Sequence, residues 1–236
     1  MKPVTEAKDT DPQEAAIVPL FPLYDHVLLP GIPTPYRVFE PRYCALVRDL
    51  LALPDDDRYL CIPRLVSLEQ EPGQCPIFHP VAAIARVSKC TQLPNGEFQI
   101  MVLGLERRTL VELPSNRPYR LALSQPLPDV LKRQDASEDE ALVKRNMEDL
   151  SGALISLVSV LGTEAEPLLN IASSGANITD TIYRLGSVLI HHPDRRQDFL
   201  EQRSLVQRIR QIKTIVTGLF GLAVHHTGDS TKILAN

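Results

Sequence analysis

Leu20 to Val47 reads LFPLYDHVLLPGIPTPYRVFEPRYCALV and carries five prolines, Pro22, Pro30, Pro33, Pro35 and Pro41, among residues that favour strands. Proline has no amide proton and a fixed φ, so it belongs at strand starts, edges and turns. Val18 to Phe21 therefore reads as a short strand that ends at Pro22, and Pro30-Gly31 as a turn. Pro33 and Pro35 hold an extended approach to Tyr36-Arg37-Val38-Phe39. Pro41 suits a first helical turn, where a missing N–H breaks no bond. Behind it Tyr43, Leu46, Val47, Leu50 and Leu51 fall at i, i+3, i+4, i+7 and i+8, one face of a helix. Strand, turn, strand and a short helix entered through Glu40-Pro41 is a compact way to close a small β structure.

The strand signals continue to about Asp129. In HPVAAIARVSKCT, residues 79–91, Val81, Ala83, Ala85 and Val87 share one face. Asn95-Gly96 follows, a pair that supplies the positive φ angles of a tight hairpin turn. Phe98, Ile100 and Val102 then alternate with Glu97, Gln99 and Met101, a half-buried strand. Gly104 interrupts the pattern before Arg107 to Leu113 resumes it, which suits a bend or bulge at a barrel corner. Tyr59–Leu65 and Tyr119–Ser124 are further strand-like pieces.

After Asp129 the period changes. Ser137-Glu-Asp-Glu140 has the form of a capping box. Val143, Met147, Leu150, Leu154, Leu157 and Leu161 follow at spacings of 4, 3, 4, 3 and 4, a single apolar stripe. Asn177 suits the cap of a second helix bearing Ile178, Ile182, Leu185 and Leu189. Ser204-Leu-Val-Gln207 is another capping box, ahead of Leu205, Ile209, Ile212, Val216 and Leu219. Pro167 and Pro193 mark helix boundaries. The expected fold is α+β: a leader over 1–14, a β-barrel over 15–129, an all-helical bundle over 130–224 and a tail over 225–236.

The bulk properties narrow the function. A net charge of −4 and a pI near 5.9 give no basic field for a phosphate backbone, and the chain has no Trp. Nucleic acid is therefore a poor partner. The longest apolar stretches fall short of the roughly 20 residues of a membrane span. The four cysteines, Cys44, Cys61, Cys75 and Cys90, are at least fourteen positions apart and form no C-x-x-C pair. They read as reduced core or half-buried residues of a cytoplasmic protein. No metal and no cofactor are expected. His191-His192 and His225-His226 read as a helix end and a tail, since adjacent histidines point apart and no carboxylate cluster accompanies them. Asp25-His26 lacks a nucleophile elbow, and Asp55-Asp56-Asp57 reads as a solvated loop.

LFPLYDHVLLPG…PYRVFEPRYCALV resembles the opening of the N-terminal, substrate-binding domain of the ATP-dependent protease Lon. The family shows a PLFPL-type strand, a V-L-x-P-G turn and a strand ending in F-E-P-R-Y. PVAAIARVSKCTQLPNGEFQIMVLGLERRTLVEL resembles the family's central hairpin, with Gly104 and Arg107 or Arg108 in its G-x-x-R positions. In the helical half, Asp180, Gln197, Leu200, Glu201 and Arg208 match a D…Q-x-x-L-E…R pattern. The likeness covers about residues 17–222, with His79-Pro80-Val81 departing from a common V-G pair. It implies a PUA-like pseudo-barrel of about six strands followed by a helical bundle. The 236 residues contain no G-x-x-x-x-G-K-S/T phosphate loop. Ser88-Lys89, adjacent on an expected strand, point to opposite faces and make no dyad.

The resemblance thus implies a non-catalytic module that binds unfolded or extended polypeptide in a groove between barrel and bundle. Leu29, Phe39, Arg42, Tyr43 and Phe78 are its candidate lining. Glu40, Pro41, Gly31, Gly96 and Gly104 are structural positions, with Glu40 capping the helix and Arg42 pinning it to the barrel. The alternatives are an adaptor that docks on a Lon-type ATPase and, from the PUA-like likeness, an RNA-binding role that the acidic balance opposes.

Overall fold

The structure, a computed structural model, describes residues 15–67, 76–130, 136–174 and 177–233, and their side chains except those of 136–138 and those beyond His225. The expected leader and Cys75 lie outside them. The chain divides into two compact units, Met1–Pro128 and Asp129–Asn236.

The first unit is a six-stranded antiparallel sheet: β1 (Ala16–Pro19), β2 (Pro33–Val38), β3 (Tyr59–Cys61), β4 (Val81–Gln92), β5 (Phe98–Leu113) and β6 (Leu121–Pro126). The order is β1-β6-β5-β4-β3, with β2 also on β5. The two ends of that order meet. Leu20 bridges Cys61 and Leu23 bridges Arg64, both parallel, and the Phe21 N–H donates to the Cys61 carbonyl at 2.9 Å. The sheet therefore closes on itself. Helix α1 (Pro41–Leu51), with Pro41 in its first turn, lays Tyr43, Leu46, Val47 and Leu50 into the main core beside Phe21, Phe98 and Ile100. A second cluster joins Val18, Leu20, Cys61, Ala82, Ile84, Leu110 and Ala122.

β4 departs from simple alternation. Ala83 and Ala85 face the main core as expected, but Ala82 and Ile84 are buried in the second cluster, so both faces of the strand are covered. The hairpin turn also differs. Only Gly96 has a positive φ, +81°, and Asn95 does not. The Gly96 N–H donates to the Leu93 carbonyl at 2.9 Å and the Leu93 N–H to the Glu97 carbonyl at 2.8 Å. A three-residue loop with glycine in the left-handed position needs one such residue where a two-residue turn needs two. Pro33 and Pro35 lie within β2, not ahead of it. The Ile32 carbonyl accepts from Gly104 at 3.2 Å, so Thr34, Tyr36 and Val38 aim their main-chain groups at β5. Pro33 and Pro35 alternate with these and put their missing N–H groups on the strand's outer edge, which discourages a further strand from adding there.

Among its described residues the second unit has five α-helices: α2 (Ala136–Leu161), α3 (Glu166–Ser174), α4 (Ile178–Leu189), α5 (Pro193–Glu201) and α6 (Leu205–Ile233). Pro167 and Pro193 sit in the first turns of α3 and α5, two nine-residue helices whose stripes are too short to read. α2 already begins at Ala136, so Ser137 is inside it and the expected capping box does not set its start; the side chain of Ser137 lies outside the described residues. Asn177 caps α4, its Oδ1 accepting from the Asp180 N–H at 3.1 Å, and Ser204 Oγ accepts from the Gln207 N–H at 3.4 Å. α6 continues through Ile233, so most of the expected tail is helical.

Leu150, Leu154 and Leu157 of α2, and Ile209, Ile212 and Val216 of α6, are buried. Arg210 Nε donates to Asn146 Oδ1 at 3.1 Å and Lys213 Nζ to Asp149 Oδ2 at 2.7 Å. Both pairs are sixty-four positions apart, so the two helices run parallel. The hydrogen bond from Lys213 holds the Asp149 carboxyl below its ordinary value. A depressed carboxyl contributes stability above its unfolded pKa and loses it as pH falls through the folded one. Asp149→Asn is therefore expected to melt slightly below the parent at neutral pH. The gap should close as pH falls through the depressed pKa of Asp149 and shrink in high salt.

Candidate functional site

A groove in the first unit has a volume of about 840 Å³. Its floor is the Tyr43 ring on α1 and the Tyr119 ring ahead of β6, both buried in the main core. Leu23, Tyr24 and residues of the Pro114–Arg120 segment line it as well.

Three arginines stand around these rings, each already paired. Arg42 lies over the Tyr43 ring, 4.6 Å from its centroid, and its Nη2 is 2.7 Å from Glu40 Oε2. Arg117 Nη1 donates to Asp49 Oδ2 at 2.5 Å, and the Tyr119 hydroxyl donates to the same oxygen at 2.5 Å. Arg120 holds Glu112 through two bonds of 2.5 Å, donates to the Pro76 carbonyl at 2.8 Å and covers the Phe78 ring at 4.6 Å. Burial raises both phenols. At Tyr43 Arg42 opposes the shift; at Tyr119 the bond to Asp49 adds to it. Both tyrosines thus stay neutral at physiological pH, and the three cations are matched by three carboxylates. The groove offers aromatic and proline surface with no net charge, together with the exposed edges of ion pairs. Such a lining favours apolar side chains and main-chain amides over charged ligands.

Of the expected lining, Arg42 and Tyr43 do face this groove. Phe78 stands behind it, under Arg120. Leu29 is buried and Phe39 is exposed, and neither lines the groove. Glu40 occupies the N-cap position, but its side chain makes no cap bond. It pairs with Arg42 instead, so Arg42 stacks on its own helix rather than pinning α1 to the sheet. Sequence reasoning passed over Arg117, Tyr119 and Arg120. The signal was Asn116-Arg-Pro-Tyr-Arg120, two arginines flanking a tyrosine in a proline-bounded turn.

The remaining candidates have structural roles. A register shift between Val87 and Lys89 breaks the alternation expected there; both Ser88 and Lys89 are exposed, and the Ser88 hydroxyl donates to the Met101 carbonyl at 3.1 Å. Asp55 pairs with Arg58 at 2.7 Å and Asp56 with Arg86 at 3.2 Å, so arginines offset two of the three carboxylates in that run. His192 Nδ1 accepts from the Asp194 N–H at 3.3 Å as the cap of α5. The His26 ring meets the Tyr36 ring edge to face at 5.4 Å. The buried Cys61 thiol is pushed up to about 12 by burial and carries no thiolate character at neutral pH. Among the described residues no group of three His, Cys, Asp or Glu is placed to hold a metal, and no helix is long and apolar enough to cross a membrane.

Arg107 and Arg108 on β5 are buried, and Arg108 Nη2 is 2.5 Å from Glu106 Oε1. In the second unit Gln197 Nε2 donates to Glu201 Oε1 at 2.7 Å. Arg208, fully buried, holds Asp129 through Nη1 at 2.8 Å and Nη2 at 2.6 Å, donates to the Gln202 carbonyl at 2.9 Å and lies 5.0 Å from the Tyr183 ring centroid.

The family model that matches the chain is described as the ATP-dependent protease La (LON) substrate-binding domain, over residues 17–218. A Lon protease of Anaeromyxobacter dehalogenans is 27% identical over 197 residues, which is 84% of this chain and 22% of that protein. Lon protease 1 of Herpetosiphon aurantiacus is 26% identical over 216 residues, 90% of this chain and 25% of that protein. The chain thus spans about a quarter of the length of these curated relatives. Among solved structures, the N-terminal domain of a Mycobacterium avium complex Lon protease superposes with a TM-score of 0.61 at 16% identity, covering 86% of this chain and 98% of that one. A Lon N-terminal domain protein from Xanthomonas campestris gives 0.51 at 20% identity, covering 84% and 96%. At such identities these two likenesses bear on the fold alone.

Proposed function

Since this chain belongs to the family of ATP-dependent protease La (LON) substrate-binding domains, we propose that it is a non-catalytic recognition module of the cytoplasm that holds unfolded or extended polypeptide in the groove of its first unit. The observation that carries this reading is the groove's lining: the Tyr24, Tyr43 and Tyr119 rings, proline walls and three arginines each matched by a carboxylate. Apolar side chains of a client lie against the rings, and its amides bond to the rims of the ion pairs. Because the charges balance, affinity depends little on salt.

The test uses a reduced and alkylated model protein carrying a fluorophore, with binding followed by anisotropy and contacts mapped by photo-cross-linking. Arg42→Ala and Tyr24→Ala alter exposed parts of the lining and leave the core intact. Each is expected to weaken binding about fivefold, the loss of one partly exposed stacking contact of about 1 kcal/mol. The parent's affinity should change less than twofold between low and high salt. Unchanged affinity in both variants, with cross-links elsewhere, removes the groove from the reading. Peptide-bond cleavage by the purified chain alone removes the non-catalytic role.

A further inference from the structure

The Pro114–Arg120 segment joins β5 to β6, and most of its residues line the groove of the first unit. Its main chain has little anchorage. Among the described residues, no main-chain group from Pro114 to Tyr119 bonds outside the segment. The Arg117 N–H donates to the Ser115 hydroxyl at 3.0 Å. The first main-chain bond to the rest of the barrel comes at Arg120, whose carbonyl accepts from the Leu20 N–H at 2.9 Å. One carboxylate on α1 supplies what the main chain lacks. Asp49 Oδ2 accepts from Arg117 Nη1 and from the Tyr119 hydroxyl, each at 2.5 Å, and Arg117 Nη1 donates to that hydroxyl at 2.6 Å. The three side chains form a closed triangle. An exposed Arg–Asp pair alone would hold little. Here the Tyr119 ring is buried in the main core, so one corner of the triangle is fixed.

We propose that Asp49 is a positioning residue for the groove: through Arg117 and Tyr119 it holds the Pro114–Arg120 segment where a client is received, without touching the client itself. The proposal rests on the reading of the groove as the polypeptide site. Asp49 does not line the groove, yet the same helix brings Arg42 and Tyr43 into it from its first turn. The triangle therefore sets the segment against the helix that carries the rest of the aromatic lining. A segment freed from Asp49 has to be ordered each time a client binds, and that ordering lowers the affinity. Removing the carboxylate strands no polar group, because the Tyr119 hydroxyl keeps Arg117 as a partner. The barrel should therefore fold without it.

The experiment follows two readouts on the full chain: anisotropy of the labelled, reduced and alkylated model protein, and the rate of chymotrypsin nicking after residue 119. Asp49→Ala should weaken binding about fivefold and speed nicking several-fold, with melting close to the parent's. Tyr119→Phe keeps the ring and breaks the triangle, so it should do the same. The double variant should lose little more than either alone, because all three side chains act as one unit. Asp49→Asn keeps an oxygen for the Tyr119 hydroxyl and should recover most of the affinity, which a general effect of surface charge would not. Asp56→Ala breaks an exposed pair elsewhere on the unit and should leave both readouts unchanged. Parent-like affinity in Asp49→Ala and Tyr119→Phe, while Arg42→Ala and Tyr24→Ala bind weakly, overturns the proposal and leaves the groove standing. Parent-like affinity in all four removes the groove and the proposal with it. Losses at Asp49 and Tyr119 that simply add, or that come without faster nicking, also overturn it.

Discussion

Gly104→Ala is expected to destabilise the first unit by about 3 kcal/mol or more, although it adds one methyl group. A Cβ at Gly104 would collide with the Leu29 carbonyl oxygen and sit 3.2 Å from the Leu29 carbonyl carbon and 3.3 Å from Leu28 Cγ. The nearest of these is main chain and has no rotamer to change. The approach is also fixed from both sides. The Gly31 N–H donates to the Gly104 carbonyl at 2.8 Å, and the Gly104 N–H donates to the Ile32 carbonyl at 3.2 Å. Leu28 and Leu29 are themselves buried, so the 28–32 segment cannot retreat without losing these bonds and opening the core. Leu28 shares that core with Tyr43, so the displacement reaches the floor of the proposed polypeptide groove and should weaken client binding as well. Gly152→Ala is the control. It lies inside α2, where a Cβ meets nothing within 4 Å, and should stabilise by about 0.5–1 kcal/mol through helix propensity. Urea denaturation of both variants, followed by a signal from the β unit and by helical CD, checks the contrast. A Gly104→Ala protein within 1 kcal/mol of the parent would mean that the two segments do not pass this closely.

Where a residue's local chemistry decides its conformation, the fold was legible in the sequence. Pro41 opens α1, Gly31 takes a positive φ, +75°, Asn177 caps α4, and the middle of each expected stripe, Leu150, Leu154 and Leu157 on α2 and Ile209, Ile212 and Val216 on α6, is buried, while Leu219 is exposed. The two-unit division follows from the change of period near Asp129. Features set by non-local pairing escaped. Nothing local to VAAIA says that a second cluster covers its outer face, and nothing local to Ser88 announces the register shift that breaks its alternation. Gly104 was legible as a corner, yet its reason is the Leu29 main chain, seventy-five positions away. The groove was half legible for the same cause. Arg42 and Tyr43 announce themselves beside Pro41, whereas Tyr119 joins them only because its hydroxyl reaches Asp49, seventy positions away on α1.

The second large effect belongs to Asp129 and Arg208, and it is asymmetric. Arg208 is fully buried, while 29% of the Asp129 side chain is exposed. Removing the carboxylate in Asp129→Ala strands a guanidinium that cannot reach water and retains the Gln202 carbonyl and the Tyr183 ring. An uncompensated buried charge of this kind costs about 3–5 kcal/mol. Arg208→Met removes the buried charge and fills much of its volume. It leaves a carboxylate that can turn to solvent, so its loss should be about 1–2 kcal/mol. The double variant should then be more stable than Asp129→Ala alone, because methionine replaces the stranded charge. That ordering, with the double variant near Arg208→Met and Asp129→Ala lowest, is the signature of a pair whose net worth is small but whose halves cannot be separated. Thermal melts of the three proteins at one pH and salt concentration decide it. Equal losses for the two single variants, or a double variant below both, would show that the bond geometry rather than the burial of Arg208 governs this junction of the helical unit.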